Sequence, residues 1–511
     1  MKPKTITTLT LALAALAVPA TANAAVTVEA NATNLKLTSD AAGDNITLGV
    51  AGGNITHNLP ATAGTFENNQ DFDPGPGVLN LPSNGTVNLT VDGGDGNDNI
   101  NVSAPTFAGN PVLNGGGGDD IILGSPQVDQ IDGGDGNDRI TAFRGSETAI
   151  LGGNGNDVII WNNGDGNDVN VGGPGIDETL ITQGNADDVS AITQVGATVH
   201  FERTNAPFTV DSNEMEKLTL TSFSGNDTLT TGPGVTIPMT IDAGPGDDNI
   251  TTGAGPDRIV GDRGNDTLNG GDGDDTLVWN NGDGSDVMEG AGGIDRVEDN
   301  LGAADDVSTL KVENGRVRYD RVNAPFSLSV GTAEVFELNT FGGNDTLTTE
   351  PNLPITLDAD MGAGNDDFNV RDGVQSIVQG GSGADKVTAD NEDLIAADVE
   401  TVDRPVVTPP PGKGKWTKNA KVKRNVAWLK VSCPAGTAGC EGKVTLRVKV
   451  GGRNKTLGSK AYKVGAGERK TIKVKLPKRA SKLATRKKLN VTARITNEGG
   501  KTANQRFRLK F

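Results

Sequence analysis

Aspartate returns at regular places through the middle of this 511-residue chain. Asp248, Asp257, Asp266 and Asp275 stand nine residues apart, and after an inserted Trp279 and Asn280 the series resumes with Asp286 and Asp295. Each is sixth in a nonapeptide of the form G-G-x-G-x-D-x-U-x, where U is a large apolar residue. AGPGDDNIT, TGAGPDRIV, GDRGNDTLN and GGDGDDTLV run unbroken over residues 243–278, followed by NGDGSDVME and GAGGIDRVE. Carboxylates are hard oxygen ligands, and glycine lets neighbouring backbone carbonyls approach the same point. That is chemistry for holding a cation.

An earlier array carries Asp120, Asp129, Asp138, Glu147, Asp157, Asp168 and Asp177, and isolated units add Asp98, Asp227, Asp345, Asp366 and Asp385. Each unit pairs a glycine-rich turn with an x-U-x stretch, too short for a helix and suited to a minimal strand. Such a strand cannot bury its apolar side alone, whereas stacked coils can. Two nonapeptides make one coil, so Asp248 lies above Asp266 and Asp257 above Asp275. Stacked strands lie about 4.8 Å apart, and carboxylates at that spacing repel by about 0.9 kcal/mol in water. Calcium bonds oxygen at about 2.3–2.6 Å and takes roughly 6–8 oxygens, so an ion between two rungs matches the coil pitch.

These units resemble the RTX, or haemolysin-type, calcium-binding nonapeptide. The resemblance implies a parallel β-roll or β-solenoid with several Ca2+ ions between successive turns. Its ligands would be the backbone of the glycine turns and the sixth-place acids Asp98, Asp120, Asp138, Asp157, Asp168, Asp177, Asp248, Asp257, Asp266, Asp275, Asp286, Asp295, Asp366 and Asp385. Departures mark weak or missing sites: Glu147 replaces Asp, Asn170 stands at a U position, and Asp129 follows GSPQV.

A longer repeat encloses the short one. WNNGDGNDV, FERTNAPF and GNDTLTT, starting at residues 161, 201 and 225, return 118 residues later as WNNGDGSDV, YDRVNAPF and GNDTLTT. Three matches at one offset indicate a duplicated module. Segments 181–221 and 299–340 alternate around Gly196 and Gly315 and read as β-hairpin inserts. The resulting order is an irregular β region at 25–92, repeat blocks at 93–180, 222–298 and 341–403, the third degenerate, and a Pro/Gly linker at 404–414. Trp161 and Trp279 read as packing caps beside a coil defect.

Residues 415–511 are different in kind. Residues 411–511 hold 29 Lys and Arg against three acids, a net of +26, so the net of −20 for the chain conceals −46 in the remainder. Runs such as NVAWLKVSC, GKVTLRVKV, RKTIKVKL and QRFRLKF alternate apolar with basic residues, which predicts an immunoglobulin-like β-sandwich. The tail also resembles small basic C-terminal modules of exported actinobacterial proteins. Its charge favours anionic wall or surface polysaccharide; nucleic acid is not expected without interleaved aromatics. Cys433 and Cys440, the only cysteines, are expected to form a local disulfide.

Lys2 and Lys4, the apolar run 9–18 and the Ala22, Asn23, Ala24 cleavage pattern read as a signal peptide over residues 1–24. The expected location is extracellular, with surface association as a companion expectation and no transmembrane segment. No H-E-x-x-H or G-x-S-x-G occurs, and His57 and His200 are far apart in sequence. The leading expectation is a secreted, non-catalytic, calcium-folded scaffold or adhesin-like protein. A carbohydrate-active enzyme on a solenoid and a polyanion-binding effector are the alternatives.

Overall fold

The computed structural model describes residues 26–511 apart from 32, 41–42, 60–64, 67–76, 406–411, 451, 484–487 and 498–501. The signal segment at 1–24 and residues 406–411 of the linker lie outside the described residues. The described chain is all-β, with one 3-10 turn at Ala480–Leu483. It divides after Arg404 into two compact units.

In the first unit short strands stack into two facing parallel walls. Asn249–Thr251, Thr267–Asn269 and Val287–Glu289 follow one another in one wall, with Ile250, Leu268 and Met288 in register. Arg258–Val260, Thr276–Asn280 and Arg296–Asn300 do the same opposite, aligning Ile259, Leu277 and Val297. All six apolar side chains are buried. Each three-residue strand places one such residue inward and its two neighbours outward, while Thr276–Asn280 also buries Val278 and Trp279. This is a parallel β-roll.

The two inserts widen one wall only. In the first, Val189–Val195, Thr198–Arg203 and Phe208–Asn213 form an antiparallel meander. Its outer strands pair in parallel with Asp168–Val171 below and Thr228–Thr231 above. On the facing wall Glu178–Thr182 pairs directly with Lys217–Thr221. The second insert repeats this with Val307–Glu313, Arg316–Arg321 and Phe326–Gly331. The segments expected as hairpins are therefore three-stranded and continuous with the wall. Their third strand is the return path, which pairs with the coil below rather than running loose.

Trp161 and Trp279 secure these coils. Both are buried, and they stack on Phe208 and Phe326 at centroid distances of 3.7 and 3.8 Å. Their indole N–H groups donate to Gly166 O and Gly284 O, closing the WNNGDG turns. At the N-terminal end, Thr27–Asn31 and Asn34–Thr38 form a hairpin alongside Asn88–Asp92. At the other end Arg404 donates to Asp390 O and Asp393 O, closing the last coil.

In the second unit Lys415–Trp416 and Arg469–Lys475 flank Val426–Ser432. Asn419–Lys423 pairs both with Val426–Ser432 and with Thr502–Lys510, and Lys488–Asn497, Cys440–Val450 and Arg453–Val464 follow, so the eight strands are one continuous sheet. Trp416, Leu429, Leu446, Val491 and Phe507 belong to the core that this sheet folds around. Cys433 and Cys440 are joined by a disulfide with a Cα–Cα distance of 5.6 Å.

Trp279→Ala removes a buried indole and its stacking partner's support, and should destabilise the calcium-loaded roll by about 3–5 kcal/mol. Chemical unfolding followed by circular dichroism checks this; a loss below about 1 kcal/mol would contradict the packing described.

Candidate metal centre

The sixth-place acids form rows along the turns. The backbone N–H of Asp248 donates to Asp266 Oδ1 at 2.8 Å, while Asp248 O accepts from Thr267 N at 2.8 Å. The same link joins Asp98 to Asp120, Asp120 to Asp138, Asp138 to Asp157 and Asp157 to Asp177, at 2.7–2.8 Å. It also joins Asp257 to Asp275 and Asp275 to Asp295, and Asp345 to Asp366 and Asp366 to Asp385. One oxygen of each receiving carboxylate is thus held by the coil before it. This is compensation that stacking at 4.8 Å alone does not reveal.

The second oxygen is left over. Oδ2 of Asp98, Asp120, Asp138, Asp157, Asp177, Asp248, Asp266, Asp275, Asp295, Asp366 and Asp385 is buried with no hydrogen-bond partner among the described residues. Asp227 and Asp345, from the isolated units, share this state. In nine of these units the oxygen faces the first glycine of its own turn, whereas Asp227, Asp248, Asp345 and Asp366 follow turns that open with Ser222, Ala243, Thr340 and Met361. A Cβ on Gly115 would lie 2.3 Å from Asp120 Oδ2 and 2.4 Å from Gly133 O. On Gly133 it would lie 2.3 Å from Asp138 Oδ2 and 2.4 Å from Gly152 O. At these two turns a bare carboxylate oxygen and a carbonyl from the next turn therefore converge on space that glycine leaves open. Among the described residues no three His, Cys, Asp or Glu side chains converge, so each centre rests on one carboxylate per rung and backbone carbonyls. That donor set fits calcium.

Three sequence-predicted positions differ. Asp257 has both oxygens engaged, by Met239 N at 2.7 Å and Gly253 N at 3.3 Å, and its turn opens with Thr252, whose hydroxyl donates to Gly270 O at 2.6 Å. Asp168 accepts from Glu147 N and shares a hydrogen bond with the Glu147 carboxyl; burial, then Glu147 itself, raises its pKa. Asp286 accepts from Asp266 N at 2.9 Å, in a turn opened by Asn281 in place of glycine. Asp129 is fully taken by Ser125, through its N–H at 2.6 Å and its hydroxyl at 2.7 Å.

Sequence reasoning passed over three sets. The fifth-place residues build a second, outer row in the opposite sense, with Asn137 N on Asp119 Oδ1 at 2.8 Å and Asn265 N on Asp247 Oδ1 at 2.8 Å. The Asn or Asp that recurs before many of the sixth-place acids was the available signal. Glutamates close three inner rows: Glu216 accepts from Asp177 N, Glu334 from Asp295 N and Glu400 from Asp385 N, at 2.7–2.8 Å. Glu216 and Glu334 stand 118 residues apart, so the duplication could have flagged them. Arg203 and Arg321 meet Asp188 and Asp306 inside the inserts.

The family model of the RTX calcium-binding nonapeptide repeat matches residues 107–142 and 242–277, with four copies. The chain carries RTX repeats. No curated protein matches the chain. RTX nonapeptides bind Ca2+, and the matched segments contain the Asp120 to Asp138 and Asp248 to Asp266 rungs.

Burial is the leading cause of raised carboxyl pKa values along the RTX rows. It pushes Asp98, Asp138, Asp248 and Asp275 up to about 7 and Asp266 up to about 8, with neighbouring acids adding to it and the donated N–H opposing it. Unfolded carboxyls titrate near 4. Between about pH 4 and 8 the calcium-free fold therefore binds more protons than the unfolded chain, and its stability falls as pH rises. In excess chelator the strand signal should grow on acidification from pH 8 to pH 5. The calcium midpoint should move to higher concentration over the same change. A flat response in both would refute the burial of these carboxylates.

Proposed function

We propose that this calcium-binding repeat protein is an exported, non-catalytic extracellular scaffold, adhesin-like in use, drawn into its final form by Ca2+. The observation that carries this reading is the repeated buried carboxylate with one oxygen bonded to backbone and the other facing a glycine cradle. Bound calcium supplies the positive charge and oxygen coordination that these rungs lack. The chain supplies everything else: the pitch, the carbonyls and the N–H groups that aim each carboxylate. His200 is paired with Asp211 at 2.5 Å on the surface of the first insert. No helix among the described residues is long and apolar enough to cross a membrane.

The basic sandwich serves in this reading as the tether. Lys421, Lys423, Lys430 and Lys510 line a cleft of 660 Å³ beside Trp428, which is 38% exposed. Lys473 lies over the indole, 4.4 Å from its centroid. Fixed cations around an exposed aromatic suit an acidic polysaccharide, whose carboxylates and sugar faces need both.

Circular dichroism should show residues 93–388 gaining strand on addition of millimolar calcium and losing it in excess EDTA. Asp266→Ala should lower the cooperativity of that transition, since its carboxylate links two rungs. A fold and metal content indifferent to EDTA would sink the reading. For the tether, the full chain should be retained on immobilised polyuronate but not on a neutral glucan. A Lys421→Glu, Lys430→Glu variant should elute at lower salt; equal elution would exclude the cleft.

A further inference from the structure

We infer that Arg203 and Arg321 stand in for calcium at the two insert coils, making each insert a seed that holds its fold without the ion. This rests on the calcium reading of the other rungs. Asp188 and Asp306 occupy the same place in the rows as the RTX aspartates. Asp188 N donates to Asp227 Oδ1 at 2.6 Å, and Asp306 N to Asp345 Oδ1 at 2.7 Å. Both side chains are buried.

What differs is the counter-charge. Arg203 Nη1 lies 3.2 and 3.4 Å from the two oxygens of Asp188; Arg321 Nε lies 2.6 Å from Asp306 Oδ1 as an ion pair without hydrogen-bond geometry. The arginine side chains are only 12% and 8% exposed. The first glycine is absent as well, replaced here by the bulkier Gln183 and Leu301, where other rungs without it carry Ser222, Ala243, Thr340 or Met361. Gln183 fills its space with hydrogen bonds to Ser190 and Ser222. A cation that needs converging carbonyls is disfavoured there, whereas a guanidinium needs acceptors arranged around a plane.

Each guanidinium is positioned by the motif repeated in both modules. Arg203 donates to Ala206 O at 3.0 Å and to Asn163 Oδ1 at 3.1 Å, and lies over the Phe208 ring that stacks on Trp161. Arg321 donates to Asn281 Oδ1 at 2.9 Å, while Phe326 stacks on Trp279. Asn205 and Asn323 tie the following loop back to Asp187 O and Asp305 O. WNNGDG and R-x-N-A-P-F are thus two halves of one lock. A covalently attached cation cannot be removed by a chelator.

Hydrogen exchange read peptide by peptide on the full chain tests this. In excess EGTA, amides of 189–213 and 307–331 should exchange at least about tenfold more slowly than those of 249–289, while calcium protects all three. Arg203→Gln should abolish the EGTA-resistant protection at 189–213 and leave 307–331 as before, with Arg203→Lys restoring part of it. A Gln183→Gly, Arg203→Met variant, which rebuilds the cradle and frees Asp188, should make 189–213 calcium-dependent and raise the bound calcium by one ion in native mass spectrometry. Inserts that exchange as fast as 249–289 in EGTA, with calcium still protecting both, would overturn the inference and leave the calcium reading standing. Protection of 249–289 that ignores calcium would instead overturn that reading, and this inference with it.

Discussion

The roll depends on one arrangement: a carboxylate whose first oxygen is held by the N–H of the coil before it and whose second is buried without a partner. The N–H link makes every rung a register mark, since a shift of one residue would break a backbone bond and a charge-assisted one together. The unpartnered oxygen makes the stack incomplete as built from protein alone, because a buried charge needs a counter-charge or a proton. With one inward apolar side chain per three-residue strand, the core is too thin to outweigh many such groups. Where glycine heads a turn, as at Gly115 and Gly133, it therefore matters as an absence of Cβ, leaving a carbonyl and a carboxylate oxygen facing the same space.

The same constraint explains the irregular rungs. Where Ser125 brings both a hydroxyl and an N–H, Asp129 is satisfied internally. Where two acids meet at Glu147 and Asp168, they share a hydrogen bond instead. Glutamate ends three rows, its longer side chain reaching the last N–H. These are different answers to one electrostatic problem, and they occur where the glycine pattern fails.

The coil architecture was legible in the sequence because every turn solves the same problem with the same residues, so phase survives substitution at the variable places. Asp248, Asp266 and the buried Ile250 and Leu268 could be placed from spacing alone. The inserts were half legible. Gly196 and Gly315 marked a reversal, but strand Phe208–Asn213 joins the wall through pairing with Asp168–Val171, a long-range fact that local alternation does not encode. The Arg203 pairing was hidden for a similar reason: on a strand of alternating residues, nothing local says that this one turns toward a carboxylate. Which of two carboxylate oxygens is free is set by three-dimensional register, so the Thr252 that opens the Asp257 turn, where Gly270 opens that of Asp275, did not by itself say that both Asp257 oxygens would be engaged.

The two modules show which places tolerate change. In the first, buried Ser190 bonds Gln183, and Phe201 has no hydroxyl to offer; in the second, Ser308 bonds the Tyr319 hydroxyl and Leu301 replaces the glutamine. The hydroxyl keeps a partner although the partner has moved to a different strand. Buried Asn170, Thr179 and Ser212, linked by hydrogen bonds, become Met288, Val297 and Val330 as a set. Each exchange is matched by another across the core, as expected where an unpaired buried polar group is costly and a paired one is not. Asp188, Arg203, Asn205 and Asp227 recur unchanged as Asp306, Arg321, Asn323 and Asp345. The interior of the walls can be repacked by compensation, whereas the rungs and their counter-charges have no substitute of equal geometry, and it is there that the duplicated modules remain the same.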